Sequence, residues 1–226
     1  MNRFEEIREA VRQLPPFRRE ELAEWILNLG DFEDQVAEAA MEYRSTVGVY
    51  LTPEEYMRME DDSEIRHEYI GGEAFAMSGV TVRHADIAQN VFAELRGHLG
   101  GSACRPYFGH VKVALRVDRA DVYYYPDVTV ARGPQEADGQ FLAEPLLIVE
   151  VLSPSTQHID RREKRLNYPL IPTVEEYLVI AQHTAQVIIH RRAEDWKPQV
   201  LTSLADVAEF RSIDFRLSLE KIYKPI

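Results

Sequence analysis

Two short runs constrain this chain more than any other feature: Tyr125-Pro126-Asp127-Val128 and Leu147-Ile148-Val149-Glu150-Val151-Leu152-Ser153-Pro154. Each carries one carboxylate inside a run that otherwise reads as a buried strand. Asp and Glu are rarely buried without a partner, because desolvating a lone carboxylate costs several kcal/mol or more. Two such placements therefore call for a cation, and Asp127 and Glu150 are expected on adjacent strands, close enough to share one. The plainer alternative is that each acid pairs with a neighbouring Arg or Lys as a structural ion pair.

A chain of 226 residues with 45% hydrophobic content can bury one substantial core and a small appended unit. Residues 1–45 read as an N-terminal helical hairpin, with Ile7, Val11 and Leu14 on one stripe, a Pro15-Pro16 break, and Leu22, Trp25, Ile26 and Leu29 on a second stripe ended by Gly30. The main domain is expected over residues 50–226. It opens at Thr52-Pro53-Glu54-Glu55, which has the N-cap, first-turn proline and acidic partner of a capping box. Strands over Glu68–Ile70 and Glu73–Met77 flank Gly71-Gly72, a pair suited to the positive φ of a tight hairpin. A helix follows from Val82 or Arg83 to Leu99, then strands over roughly Tyr107–Val117, Val122–Ala131 and Leu146–Leu152. A helix carrying Lys164 and strands near Tyr177–Ala181 and Gln186–His190 come next. This order gives an α/β (α+β) domain with a mixed central sheet flanked by helices.

Several function classes are excluded or constrained. Cys104 is the single cysteine, so no internal disulfide forms. The first residues lack the apolar stretch of a signal peptide, and no run of about 18 apolar residues offers a membrane span, so a cytoplasmic protein is expected. The seven histidines are scattered without zinc-ligand spacing, and neither a phosphate-binding Gly-rich loop nor a Gly-x-Ser-x-Gly elbow is present. A net charge of −12 argues against a broad non-specific DNA-binding surface. Nucleic-acid contact would then come from a local patch such as Arg161, Arg162, Lys164 and Arg165, which also reads as a solvated helix face.

Three motifs in order carry a resemblance: Tyr-Pro-Asp-Val at 125–128, Val-Glu-Val-Leu-Ser-Pro-Ser-Thr at 149–156, and Asp160-x-x-x-Lys164-x-x-x-Tyr168. Together they resemble the Uma family of restriction endonucleases, within the PD-(D/E)XK nuclease superfamily. The resemblance runs from about Leu51 to the C-terminus and includes Glu68 to Glu73, the His84 helix and Glu176 to Val179. It implies a restriction-endonuclease-like fold and an endonuclease that hydrolyses phosphodiester bonds in DNA with Mg²⁺ or Mn²⁺, working as a homodimer because two strands must be cut. Asp127, Glu150 and the Val151 carbonyl would hold the metal. Leu152 stands where the superfamily places its lysine, and the resemblance implies that Lys164 on the following helix takes its place. Loss of the strand lysine also suits a catalytically inactive nuclease-fold module with a regulatory or protein-interaction role.

Other residues are further candidates. A simple hairpin through Asp118–Asp121 would set Lys112 opposite Asp127 on one face. Glu73 is a possible third acid, and His84 a phosphate donor or proton carrier. Tyr168, one helical turn beyond Lys164, either meets phosphate or covers the core. Each has an ordinary reading too: Lys164 can pair with Asp160 at i,i+4, while Glu73 and His84 can be surface or capping residues.

Overall fold

Among the described residues, Thr52 starts the leading helix as its sequence dictates. Its Oγ1 accepts the Glu55 N–H, Glu55 Oε2 accepts the Thr52 N–H at 2.8 Å, and Pro53 fills the first turn of α1 (Pro53–Asp62). The structure is a computed structural model describing residues 51–77, 79–117, 120–153 and 163–225. The expected N-terminal hairpin, residues 154–156 of the Ser-Pro-Ser-Thr segment, Asp160, Arg161 and Arg162 lie outside the described residues.

Gly71 and Gly72 take φ of 56° and 108°, turning β1 (His67–Ile70) into β2 (Glu73–Ala76). Helix α2 (Val82–His98) follows, capped by Thr81. Then come β3 (Cys104–Phe108), β4 (Val113–Val117), β5 (Ala120–Tyr124), β6 (Val128–Arg132) and β7 (Pro145–Leu152). A short helix α3 (Arg165–Asn167) runs into a 3-10 turn over Tyr168–Leu170. The chain ends with β8 (Glu176–Ala181), β9 (Val187–Arg191), β10 (Pro198–Leu201), the hairpin β11 (Val207–Phe210) and β12 (Phe215–Ser218), and α4 (Leu219–Ile222).

The central sheet is mixed: its order is β10-β9-β8-β7-β6-β3, with β7 and β8 parallel and the other pairs antiparallel. A second, antiparallel sheet has the order β2-β1-β5-β4. The runs Tyr107–Val117 and Val122–Ala131, each expected to be one strand, are each broken and shared between the two sheets. Gly109, at φ 62°, breaks the first. Pro126 breaks the second, since it offers no N–H to a ladder and restricts the residue before it.

Strand β7 is buried along its whole length because both of its faces are covered. Leu147, Val149 and Val151 pack with Ile87, Val91 and Leu95 of α2. Ile148 and Leu152 face the other way, toward Val113, Leu115, Val122 and Tyr124 of the antiparallel sheet. One face of the mixed sheet is thus flanked by helix and the other by a second sheet. At β3, the last strand of this sheet among the described residues, the Gly109 N–H donates to the Asp127 carbonyl at 3.0 Å, so alternation turns the backbone groups of Cys104, Pro106 and Phe108 outward. Pro106 therefore turns its missing donor to a side where, among the described residues, no strand pairs. No helix among the described residues is long and apolar enough to cross a membrane.

Candidate active site

The β6–β7 register pairs Val128 with Val149, which sets Asp127 opposite Glu150 where β6 begins. Asp127 stands at the corner where the chain, having passed Tyr125-Pro126, leaves the antiparallel sheet and enters the mixed one. Its Oδ2 accepts the Val151 N–H at 2.7 Å, and its own N–H lies 3.4 Å from Glu150 Oε2. From the other side His84, in the first turn of α2, brings Nε2 to 2.9 Å from Asp127 Oδ1. The Asp127 side chain is 20% exposed, while that of Glu150 is 5% exposed, so the pair has one face toward solvent and one in the core.

Leu152 lies in the apolar layer between the sheets, and a cation reaches Glu150 by another route. Lys164, at the N-cap of α3, places Nζ 3.0 Å from Glu150 Oε1 and 2.8 Å from Glu68 Oε1, above the Tyr124 ring. One turn later the Tyr168 hydroxyl donates to the same Glu150 oxygen at 2.7 Å. Burial, reinforced by the Glu150 charge, raises the Tyr168 pKa well above its ordinary value, so this phenol stays a donor. The i,i+4 spacing of Lys164 and Tyr168 on one helical face is what lets both meet one carboxylate.

Glu68 is the member that the sequence reading missed. Alternation along β1 sends Tyr69 into a cluster with Tyr56 and Tyr123 and turns Glu68 and Ile70 to the opposite face, toward the layer between the sheets. There Glu68 also accepts the Tyr125 N–H at 3.3 Å. The available signal was an acid one residue from a core aromatic in a four-residue strand.

Lys112 is a correction. In the β4–β5 pairing Val113 faces Tyr124, which carries Lys112 across from Tyr125, two residues short of Asp127. Val113 and Tyr124 must both point into the layer between the sheets, so Lys112 falls on the opposite face. It donates to Tyr125 Oη at 3.0 Å and Gln140 Oε1 at 2.9 Å, among the rings of Tyr56, Tyr125 and Phe141, and this burial lowers its pKa. Glu73 is exposed at the turn end of β2, where it pairs with Ile70, and among the described residues it makes no side-chain hydrogen bond or ion pair with Asp127, Glu150 or Lys164. The structure thus brings together Asp127, Glu150, Lys164, His84 and Tyr168, adds Glu68, and leaves Glu73 and Lys112 outside.

The donor set fits a hard, oxygen-seeking cation. Among the described residues no group of three or more His, Cys, Asp and Glu is arranged to hold a metal, which disfavours a closed zinc site. Mg²⁺ is held by one or two carboxylates with water and substrate phosphate, and two facing carboxylates with one solvent-facing side meet that need. The N–H and C=O of a strand residue point to the same side, so the Val151 carbonyl faces the edge where its N–H meets Asp127.

Residues 53–220 match the Uma2 family, described as "Putative restriction endonuclease". In Synechocystis sp., the protein slr1290 is 31% identical over 176 residues, covering 77% of this chain and 92% of its own length. The protein sll1609 of the same organism is 30% identical over 168 residues, covering 73% and 92%. A crystal structure from Anabaena variabilis, described as a putative nuclease belonging to DUF820, superposes with a TM-score of 0.64 at 17% identity. It covers 76% of this chain and 97% of its own, a likeness of fold. With Asp127 and Glu150 facing each other across β6 and β7 and the family match spanning the domain that carries them, the chain has the restriction-endonuclease-like fold and belongs to the Uma2 family.

Proposed function

We propose that the protein is an endodeoxyribonuclease that hydrolyses phosphodiester bonds in DNA with Mg²⁺ or Mn²⁺. The observation that carries this reading is Lys164 seated on Glu150, across from Asp127, although Leu152 fills the strand position that would otherwise supply the lysine.

A bound divalent cation supplies charge relief at the phosphate and a more acidic water. The chain's residues do the rest. The Val151 N–H and His84 fix Asp127 from two sides, so its rotamer is set before substrate arrives. Tyr168 and Lys164 orient Glu150 through one oxygen. Glu68 holds the Lys164 ammonium from the far side, making it a positioned point charge beside the acids. A phosphate at Asp127 would meet that charge as negative charge develops in the transition state, and His84 is placed to donate to it or carry a proton. Cutting both strands favours action as a homodimer.

Supercoiled plasmid provides the test. Nicked and linear forms should appear with Mg²⁺ or Mn²⁺ and vanish with excess chelator. A protein that leaves plasmid and linear duplex uncut with either metal would instead be a catalytically silent module on a nuclease fold.

A further inference from the structure

Beside the first turn of α2 opens a cleft of about 680 Å³, lined by Arg83, Lys221, Lys224 and Tyr223 with Ala185 of the β8–β9 turn. Three cations face one carboxylate there, Glu220, in a chain whose acids outnumber its Lys and Arg by 38 to 26. Lys221 is held by Glu94 at 3.0 Å. Arg83 and Lys224 are exposed, and among the described residues neither forms an ion pair. Such a local excess of positive charge on an acidic protein marks a place for an anion.

The first turn of α2 links the cleft to the candidate active site. Arg83 directly precedes His84, whose ring meets Asp127. The N-cap of the same turn, Thr81, donates to Gln182 Oε1 at 2.7 Å, tying the start of α2 to the residue just after β8. Gln182 is 2% exposed, and its Nε2 has no hydrogen-bond partner among the described residues. It lies against the N-terminal end of a 17-residue helix, where free backbone N–H groups and the helix dipole already favour negative charge.

We propose that this cleft is the track for the phosphodiester backbone of duplex DNA next to the cleaved bond. Arg83 and Lys224 neutralise phosphates along it. The proposal rests on the nuclease reading. It also supplies the local basic patch that a chain of net charge −12 needs if it is to hold DNA at all.

Binding of a fluorescein-labelled duplex in excess EDTA, over a range of NaCl, tests it without cleavage. Arg83→Gln with Lys224→Gln changes two exposed residues and should leave the melting temperature unchanged. This double variant is expected to flatten the plot of log affinity against log salt by up to about 1.8, from roughly 0.9 per lost phosphate contact. If the parent binds and cuts duplex while the double variant binds with the same affinity and slope, the track is wrong and the nuclease reading stands. A parent that cuts with Mg²⁺ yet shows no duplex binding in EDTA at low salt also overturns the track, because Arg83 and Lys224 need no metal to hold phosphate. A parent that neither binds nor cuts DNA sinks both readings.

Discussion

Asp127→Asn and Glu150→Gln are each expected to lower metal-dependent cleavage of duplex DNA by about 10³-fold or more, a loss of roughly 4 kcal/mol of transition-state stabilisation. Each substitution keeps the shape and removes the charge that a divalent cation needs. The fold should survive both. The first variant retains an amide oxygen for the Val151 N–H, and the second an amide oxygen for Lys164 and Tyr168. Because Asp127 is the more exposed of the two, its variant should melt within about 4 °C of the parent. Single-turnover cleavage at saturating Mg²⁺, beside thermal melts, gives both numbers. Near-parental cleavage by either variant would show the acids to be members of a structural ion pair and would remove them from the chemistry.

Lys164→Met should cost on both axes. Cleavage is expected to fall by about 10²-fold or more, the usual size of the effect when a positioned charge is withdrawn from a developing anion. Stability should fall as well, since the thioether leaves Glu68 and Glu150 without the cation they share in a buried site. Removing one partner of a buried pair costs about 3–5 kcal/mol, or a drop of roughly 6–20 °C for a domain of this size. Adding Glu68→Gln should recover part of the melting temperature and none of the cleavage. That split separates the two roles of Lys164. Recovery of cleavage together with stability would make it a structural cation only, and unchanged cleavage in the single variant would sink its catalytic role outright.

How far the site can be read from sequence depends on whether the controlling signal is local. Asp127 and Glu150 stand out because each interrupts an apolar run, and the capping box at Thr52 and the Gly71-Gly72 turn are spelled out within a few residues. Lys164 and Tyr168 follow from their four-residue spacing and the motif resemblance. Glu68 does not, because alternation in β1 gives two faces without saying which one meets the second sheet. The misplacement of Lys112 has the same origin. Gly109 and Pro126 move the chain from one sheet to the other, and a pairing counted along a single hairpin cannot register that switch. His84 was recognisable as a helix-start residue, but its approach to Asp127 spans 43 positions and exists only once α2 has packed on the mixed sheet.

Pro106 limits how copies of this protein can assemble. Among the outward-facing positions of β3 it is the middle one, and it presents no amide to an incoming strand, so one molecule is a poor template for extending the mixed sheet into the next. Open-ended stacking through that margin is thereby discouraged. A pair of subunits that cuts opposite strands of one duplex would have to meet through some other surface, about a two-fold axis that turns both Asp127 corners toward the same DNA.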